Sequence, residues 1–117
     1  MKWAACTSGR AEADLTNQYR WYLDNANLPV AERFLAAFDA TVARILKAPT
    51  LGRSRKFRSA ELHGIRSLIM GSGYASHLIF YRISETTVSV ERVMQGARDL
   101  ERRLLEPPEG YPPQPRA

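Results

Sequence analysis

The chain has 117 residues, a net charge of +5 and 44% hydrophobic residues. This length fits one domain, and the presence of Trp, Tyr and Phe excludes a disordered composition. No apolar run approaches the ~20 residues of a membrane span, and the only cysteine, Cys6, excludes an internal disulfide. Because no apolar signal segment is seen near the start, a cytoplasmic location is predicted.

The positive charge is concentrated from Leu51 onward. An excess of this kind suggests an acidic partner, which could be a nucleic acid, an acidic protein or a membrane surface. One Cys and two dispersed His make a poor metal site, and no glycine-rich phosphate loop is present. The sequence therefore predicts no cofactor and no metal.

The first half of the chain predicts a short strand followed by two helices. Lys2–Thr7 is the strand candidate, and Thr7 or Ser8 could cap the first helix. Its apolar stripe consists of Ala11, Leu15, Tyr19, Tyr22 and Ala26. Pro29 begins the second helix and Pro49 ends it. The short link between the helices predicts an antiparallel hairpin.

The second half of the chain predicts three consecutive strands. They are Leu62–Met70, Tyr74–Ile83 and Val88–Gln95. The second is apolar on both faces, which is typical of a central strand. A short helix or ordered tail follows at Ala97–Leu105.

In the third strand, simple alternation predicts which side chains share a face. One face carries Val88, Val90, Arg92 and Met94, and the other carries Ser89, Glu91, Val93 and Gln95.

These elements predict an α+β fold. The N-terminal strand and the helix hairpin precede a three-stranded antiparallel sheet and a short C-terminal helix, with the helices packed on one face of the sheet. The predicted domain covers residues 1–105. The segment 106–117 holds five prolines and predicts an extended, mobile tail.

Basic residues are the main candidates for function. A loop concentrates four of them, which could contact phosphates or could simply be solvated: Arg53, Arg55, Lys56 and Arg58. Arg66, Arg82 and Arg92 lie inside predicted strands. They could converge on one concave surface, or each could pair with a nearby carboxylate.

The two histidines are candidates for acid–base chemistry, as in a ribonuclease. His63 and His77 lie on different predicted strands, and nothing in their spacing places them together. Structural or incidental roles are therefore the favoured interpretation.

The order and spacing of several short runs resemble the RelE/ParE superfamily of toxins from bacterial type II toxin–antitoxin modules. The resemblance extends from about Ala11 to Leu105 and rests on AEADL at 11–15, AERFL at 31–35, PTLGR at 49–53, IRS at 65–67, HLIFYR at 77–82 and ERVMQGARDL at 91–100. The last run is most similar to the ParE branch.

The resemblance implies an antitoxin partner, and the branch decides the activity. RelE-like members cleave messenger RNA on the ribosome and usually carry a Tyr or His shortly after the last strand. Residues 97–105 contain Arg98, Arg102 and Arg103 but no Tyr or His. ParE-like members bind DNA gyrase and need no catalytic set. The predicted function is therefore a non-enzymatic gyrase inhibitor, with a ribosome-dependent ribonuclease or a non-toxic binding remnant as alternatives.

The resemblance also implies contact residues for the target or the antitoxin. The candidates are Arg66, Arg82, Arg92, Arg98 and Arg102, with the basic loop beside them. Positive charge on this surface would suit a more acidic antitoxin. No catalytic residue and no membrane partner are expected.

Overall fold

The computed structural model describes residues 2–71 and 73–111 and has an α+β fold. The strands and α-helices follow in the order β1 (Ala4–Thr7), α1 (Gly9–Asn25), α2 (Leu28–Lys47), β2 (Arg53–Ser54), β3 (Arg66–Ile69), β4 (His77–Ser84), β5 (Thr87–Gln95) and α3 (Leu100–Leu105). Short 3₁₀ turns lie at Pro49–Leu51 and Ala60–Leu62. No helix in the described ranges is long and apolar enough to cross a membrane.

The predicted helix hairpin is confirmed, and side-chain caps begin both of its helices. Ser8 Oγ accepts the N–H of Ala11 at 3.1 Å, and Asn27 Oδ1 accepts the N–H of Val30 at 3.0 Å. Each cap satisfies a donor that the first helical turn leaves unpaired. The apolar stripes of both helices pack on one face of the sheet, where Phe34, Phe38 and Ile45 join the main core.

The sheet has the strand order β1-β5-β4-β3-β2. β1 runs parallel to β5, and the other neighbours are antiparallel. The three predicted consecutive strands are therefore present, and β1 joins them at one edge. β2 is an additional strand within the predicted basic loop, and its two residues are too few to give a period in the sequence.

The first of the three predicted strands starts later than expected. Ala60–Leu62 forms a 3₁₀ turn, and Gly64 has a φ of 83°, which a strand does not tolerate. β3 consequently begins at Arg66 rather than at Leu62.

A β-bulge in β5 changes the predicted faces of the last strand. Phe80 pairs with Arg92 while Tyr81 pairs with Val90, so Glu91 is the extra residue. Val90 and Val93 both lie in the core under the helices, whereas Met94 packs on the opposite face. The prediction that Val90 and Met94 share one face is therefore wrong, because the bulge reverses the alternation.

The opposite face of the sheet is closed by a second apolar cluster. It contains Leu62, Ile65, Leu78, Phe80, Met94, Leu100 and Leu104, with Phe57 packed against it. The Glu101 carboxylate joins α3 to the chain segment beside it, because it accepts hydrogen bonds from the backbone N–H groups of Arg58 at 3.1 Å and Ser59 at 2.9 Å. α3 and the segment 55–65 thus form one layer.

The first part of the predicted mobile tail packs against α1. Asn17 Nδ2 donates to the carbonyl of Glu109 at 2.7 Å, and Pro108 is buried. The Tyr111 hydroxyl lies 3.0 Å from the point where a Cβ on Gly9 would stand. Within the predicted tail, Glu109 and Tyr111 therefore contact α1; residues 112–117 lie outside the described residues.

Candidate functional site

The guanidinium of Arg92 is the centre of a buried clamp between β5, α1 and α3. Its Nε and Nη2 donate to the two carboxylate oxygens of Asp14 at 2.8 and 3.1 Å. Its Nη1 donates to the carbonyls of Arg103, Leu104 and Glu106. Arg92 and Asp14 are only 5% and 6% exposed. Arg92, a predicted contact residue, is therefore buried, and its guanidinium nitrogens donate to partners within the chain.

The Asp14 carboxylate also binds the backbone of β5 beyond the point where β1 ends. Asp14 Oδ2 also accepts the N–H of Val93 at 2.9 Å, and Gln18 Nε2 donates to the carbonyl of Val93 at 2.8 Å. Two side chains of α1 thus replace the backbone partners that a longer β1 would supply. This satisfies polar groups that would be costly to bury unpaired.

Arg82 lies on β4 beside the Arg92 clamp and is held by its neighbours. Its Nη1 donates to Glu91 Oε1 at 2.6 Å, and its Nη2 donates to the carbonyl of Glu61. The other oxygen of Glu91 accepts a hydrogen bond from Ser89 Oγ at 2.8 Å. Arg82 pairs with Ser89 in the register of β4 and β5, so Glu91, two positions further along β5, lies on the same face of the sheet as Arg82.

A cavity of about 250 Å³ opens beside this pair. Polar and apolar side chains line it together: Ser8, Arg10, Glu61, Leu62, Ile65, Arg82, Glu91, Arg92, Leu104 and Leu105. The guanidinium of Arg10 has no carboxylate within 4.0 Å among the described residues. The described residues that line this cavity include no His and no Tyr.

The two histidines lie on opposite sides of the sheet. His77 is buried in the helix-side layer with Tyr22, Phe34 and Tyr74, and its Nε2 lies 2.8 Å from Tyr22 Oη. Burial lowers the pKa of His77 below its ordinary value. His63 lies exposed in the segment that covers the other face. The structure therefore does not bring the two imidazoles together as an acid–base pair.

Arg66 lies at the other side of the sheet from Arg82's cavity. Its Nη1 donates to the carbonyl of Gly52 at 2.9 Å and, at 3.4 Å, to that of Thr50. Of the three strand arginines, Arg82 and Arg92 therefore line the same cavity, whereas Arg66 lies apart from them. Each is tied to its own local partners.

Within the basic loop, Arg55 differs from its neighbours. Its Nε donates to Ser67 Oγ at 2.8 Å, and its guanidinium lies 5.8 Å from the centroid of the Phe80 ring. Burial, assisted by the nearby charge of Arg53, lowers the pKa of Arg55. Arg53, Lys56 and Arg58 are exposed, and no carboxylate of the described residues lies within 4.0 Å of their side-chain nitrogens.

The arginines after β5 are also on the surface. Arg102 pairs with Glu106 at 2.7 Å and Asp99 at 3.6 Å, and the hydrogen bond that Arg102 donates to Glu106 raises the pKa of Arg102. Arg98 is exposed, and its carbonyl accepts a hydrogen bond from Arg103. Because Glu101 ties α3 to the loop, cations from both segments lie on one layer of the molecule.

Sequence reasoning missed two carboxylates that organise this region. In the sequence, Asp14 is a polar residue next to Leu15 of the α1 apolar stripe, and nothing else distinguishes it. Glu101 is one of several charged residues that follow the last strand. Each has its partners far away in sequence: the shortest hydrogen bond spans 78 positions for Asp14 and 42 positions for Glu101. The one signal in the sequence was the position of Asp14, three residues after Ala11 of the apolar stripe of α1.

Comparison with known proteins gives a consistent result. Residues 7–100 match the family model described as the ParE toxin of the type II toxin–antitoxin system parDE. Comparison with curated protein sequences gives no match. A chain from the chromosomal ParDE TA system of P. aeruginosa has a similar fold, with a TM-score of 0.66 at 16% identity, covering 83% of this chain and 98% of that chain. The chain therefore belongs to the ParE toxin family of type II toxin–antitoxin systems.

Proposed function

We propose that this protein is a toxin that inhibits DNA gyrase by binding it and that a cognate antitoxin neutralises it. The observation that carries the proposal is the ParE family match over residues 7–100. The arrangement of the arginines supports a binding role. Arg92 is buried and Arg82 is paired with Glu91, whereas Lys56, Arg58 and Arg98 remain on the surface without carboxylate partners among the described residues.

Inhibition of supercoiling by purified protein tests the gyrase proposal. Folded protein should inhibit the conversion of relaxed plasmid to its supercoiled form at micromolar concentration or below. A Lys56→Glu, Arg98→Glu double variant should inhibit more weakly, while Arg33→Glu, on the exposed side of α2, should inhibit like the wild type. Supercoiling that is unaffected by folded wild-type protein would contradict the proposal.

The antitoxin proposal has a separate test. The product of the adjacent reading frame is expected to be a small acidic protein that copurifies with this chain. Its co-expression should restore growth that expression of the toxin alone arrests. If expression of the chain alone leaves growth unaffected, the non-toxic binding remnant becomes the better description.

A ribosome-dependent ribonuclease is the second candidate, because the cavity beside Arg82 combines cations with carboxylates. Arg10 and Arg82 could stabilise the charge of a phosphorane, and Glu61 could transfer a proton. Cleavage of messenger RNA in a translation extract, lost in Arg82→Ala, would favour this candidate. Absence of cleavage together with gyrase inhibition would exclude it.

A further inference from the structure

The layer that covers the second face of the sheet carries three exposed cations. They are Lys56 and Arg58 in the segment 55–65 and Arg98 in the turn that leads into α3. Within the described ranges, no carboxylate lies within 4.0 Å of their side-chain nitrogens. Solvated cations are common on protein surfaces, so their exposure alone assigns no role. What distinguishes these three is that the fold joins the two segments that carry them.

Two side chains of α3 hold the backbone of both segments and leave the exposed cations unneutralised. The Glu101 carboxylate accepts the N–H of Arg58 at 3.1 Å and that of the next residue at 2.9 Å, so both of its oxygens bind backbone donors. The Arg103 guanidinium donates to the carbonyls of Gln95 at 2.6 Å and Arg98 at 2.9 Å. The backbones of Arg58 and Arg98 are thus fixed to positions of α3 that are two residues apart.

The surroundings of these cations are poor in exposed apolar side chains. Phe57, which lies between Lys56 and Arg58, packs against the second apolar cluster. Of the large apolar side chains that are well exposed in the described part of the chain, Leu105 is the one that belongs to this layer. Protein–protein interfaces bury apolar and aromatic side chains at their centre and are depleted in charge there, whereas protein–DNA interfaces are polar and positive. The composition of this layer therefore favours a nucleic acid as the direct contact of its cations.

The position of the exposed aromatic side chains favours a duplex over a single strand. Proteins hold single-stranded DNA and RNA largely by stacking the bases on aromatic side chains. Among the residues that the structure describes, the one aromatic side chain that is largely exposed is Trp21, and it belongs to the helix hairpin on the other face of the sheet. A duplex keeps its bases stacked and presents phosphates, which Lys and Arg can bind without aromatic help.

We propose that the layer formed by α3, the turn before it and the segment 55–65 binds the phosphate backbone of duplex DNA through Lys56, Arg58 and Arg98, without reading the base sequence. This contact goes beyond the gyrase inhibition proposed above, because it requires neither gyrase nor an antitoxin. When the toxin is bound to gyrase, it adds a contact with the DNA on which gyrase acts.

Fluorescence anisotropy of a labelled DNA duplex of about 20 base pairs, titrated with the purified chain, tests the proposal. The binding constant should fall by about 40-fold between 50 and 200 mM NaCl, because neutralising three phosphates gives a slope of about −2.7 in log K against log salt. Duplexes of unrelated sequence should bind within about twofold of each other, and single-stranded DNA should bind about fivefold more weakly. Absence of binding at 50 mM NaCl, an affinity independent of salt, or tighter binding of the single strand would overturn the proposal.

Variants of exposed cations separate this layer from the net charge of the protein. Lys56→Ala and Arg98→Ala should each reduce the magnitude of the salt slope by about 1, and the double variant by about 2. Arg33→Ala, on the exposed side of α2, removes the same charge and should leave the slope unchanged. Circular dichroism confirms that each variant is folded. Equal effects of Lys56→Ala and Arg33→Ala would show that the layer is not the binding site.

A competitor distinguishes phosphates from the carboxylates of an acidic protein. Poly-glutamate with the same number of charges as the duplex should displace the DNA only at about tenfold higher concentration or more, since its charges are less densely spaced. Displacement at equal concentration would assign the layer to an acidic protein and overturn the proposal. Because these assays contain no gyrase and no antitoxin, their outcome is independent of the supercoiling and growth tests.

Discussion

Single residues in this protein act mainly through partners that are remote in sequence. Arg92 and Asp14 form a buried pair in which nearly every donor and acceptor is matched. Burying two charges is costly, so such a pair is weak support for stability as a whole. Removing one partner, however, leaves the other charge buried and uncompensated.

Asp14→Ala should lower the free energy of unfolding by about 3–5 kcal/mol, because it leaves a buried charge without its counter-ion and leaves Nε and Nη2 of Arg92 and the Val93 N–H without an acceptor. Asp14→Asn keeps one side-chain oxygen as an acceptor and should lower the free energy of unfolding by less. Urea denaturation followed by circular dichroism measures both. Glu12→Ala, at an exposed position of the same helix, is the matched control and should change stability by less than about 0.5 kcal/mol. Similar losses in Asp14→Ala and Glu12→Ala would contradict the structural role of the clamp.

His77 makes stability depend on pH in a defined direction. Burial lowers its pKa in the folded state, so below pH ~6.5 the unfolded chain binds a proton that the folded protein does not. The free energy of unfolding should therefore fall as the pH drops from 7.5 to 5.5, by at most about 1.4 kcal/mol per pH unit for one proton.

The His77→Gln variant should flatten this pH dependence, because Gln can still bond Tyr22 Oη but does not titrate. His63→Gln, at the exposed histidine, should retain it. Urea midpoints at the two pH values measure the effect. An unchanged pH slope in His77→Gln would show that another group is responsible.

At the scale of elements, α3 is the part that depends most on its surroundings. Its six residues are far fewer than an isolated helix needs for stability in water. Leu100 and Leu104 are buried on the second face of the sheet, and Glu101 binds the segment beside it. α3 is thus held by tertiary contacts rather than by its own propensity.

Leu104→Ala should lower the free energy of unfolding by about 2–5 kcal/mol, because the buried side chain leaves a cavity under α3. Hydrogen exchange in residues 100–105 should accelerate more than in β4. Leu105→Ala, at a position that is 38% exposed, should have a much smaller effect on both measurements. Uniform acceleration across the whole chain would show that α3 does not loosen separately.

The elements differ in how far the sequence predicts them. Ser8 and Pro29 mark the helix starts through local chemistry, and the period of α2 defines its buried face. No local feature of the sequence marks the bulge at Glu91, since a single extra residue does not alter the composition of the strand. The burial of Arg92 could not be predicted either, because its carboxylate partner lies on another element. Short runs of residues were enough to indicate the family, but where the side chains of the strand arginines lie could be seen only in the folded structure.

At the scale of the whole molecule, the net charge of +5 should govern how fast a partner is met. The basic loop and Arg98 carry cations that have no carboxylate partner among the described residues. These cations make the electrostatic potential of the surface positive. Such a field attracts an acidic protein before contact and is screened by salt.

The association rate with an acidic antitoxin should fall by about tenfold or more between 50 and 500 mM NaCl, whereas the dissociation rate should change less. Stopped-flow fluorescence measures both rates. Raising the viscosity with sucrose at constant salt controls for diffusion. An association rate that is independent of salt would show that the surface charge does not steer the encounter.

The parallel pairing of β1 with β5 has a consequence for how the protein is made. Ser8 and Glu91, which meet where the pairing of β1 with β5 ends, are 83 positions apart. β1 is synthesised first, yet its partner strand emerges only after the hairpin and most of the sheet. Folding of the complete domain must close this long loop, which makes it slow relative to helix formation. During synthesis there is consequently a period in which the residues of β1 and of both long helices have been made but the partner strand of β1 has not.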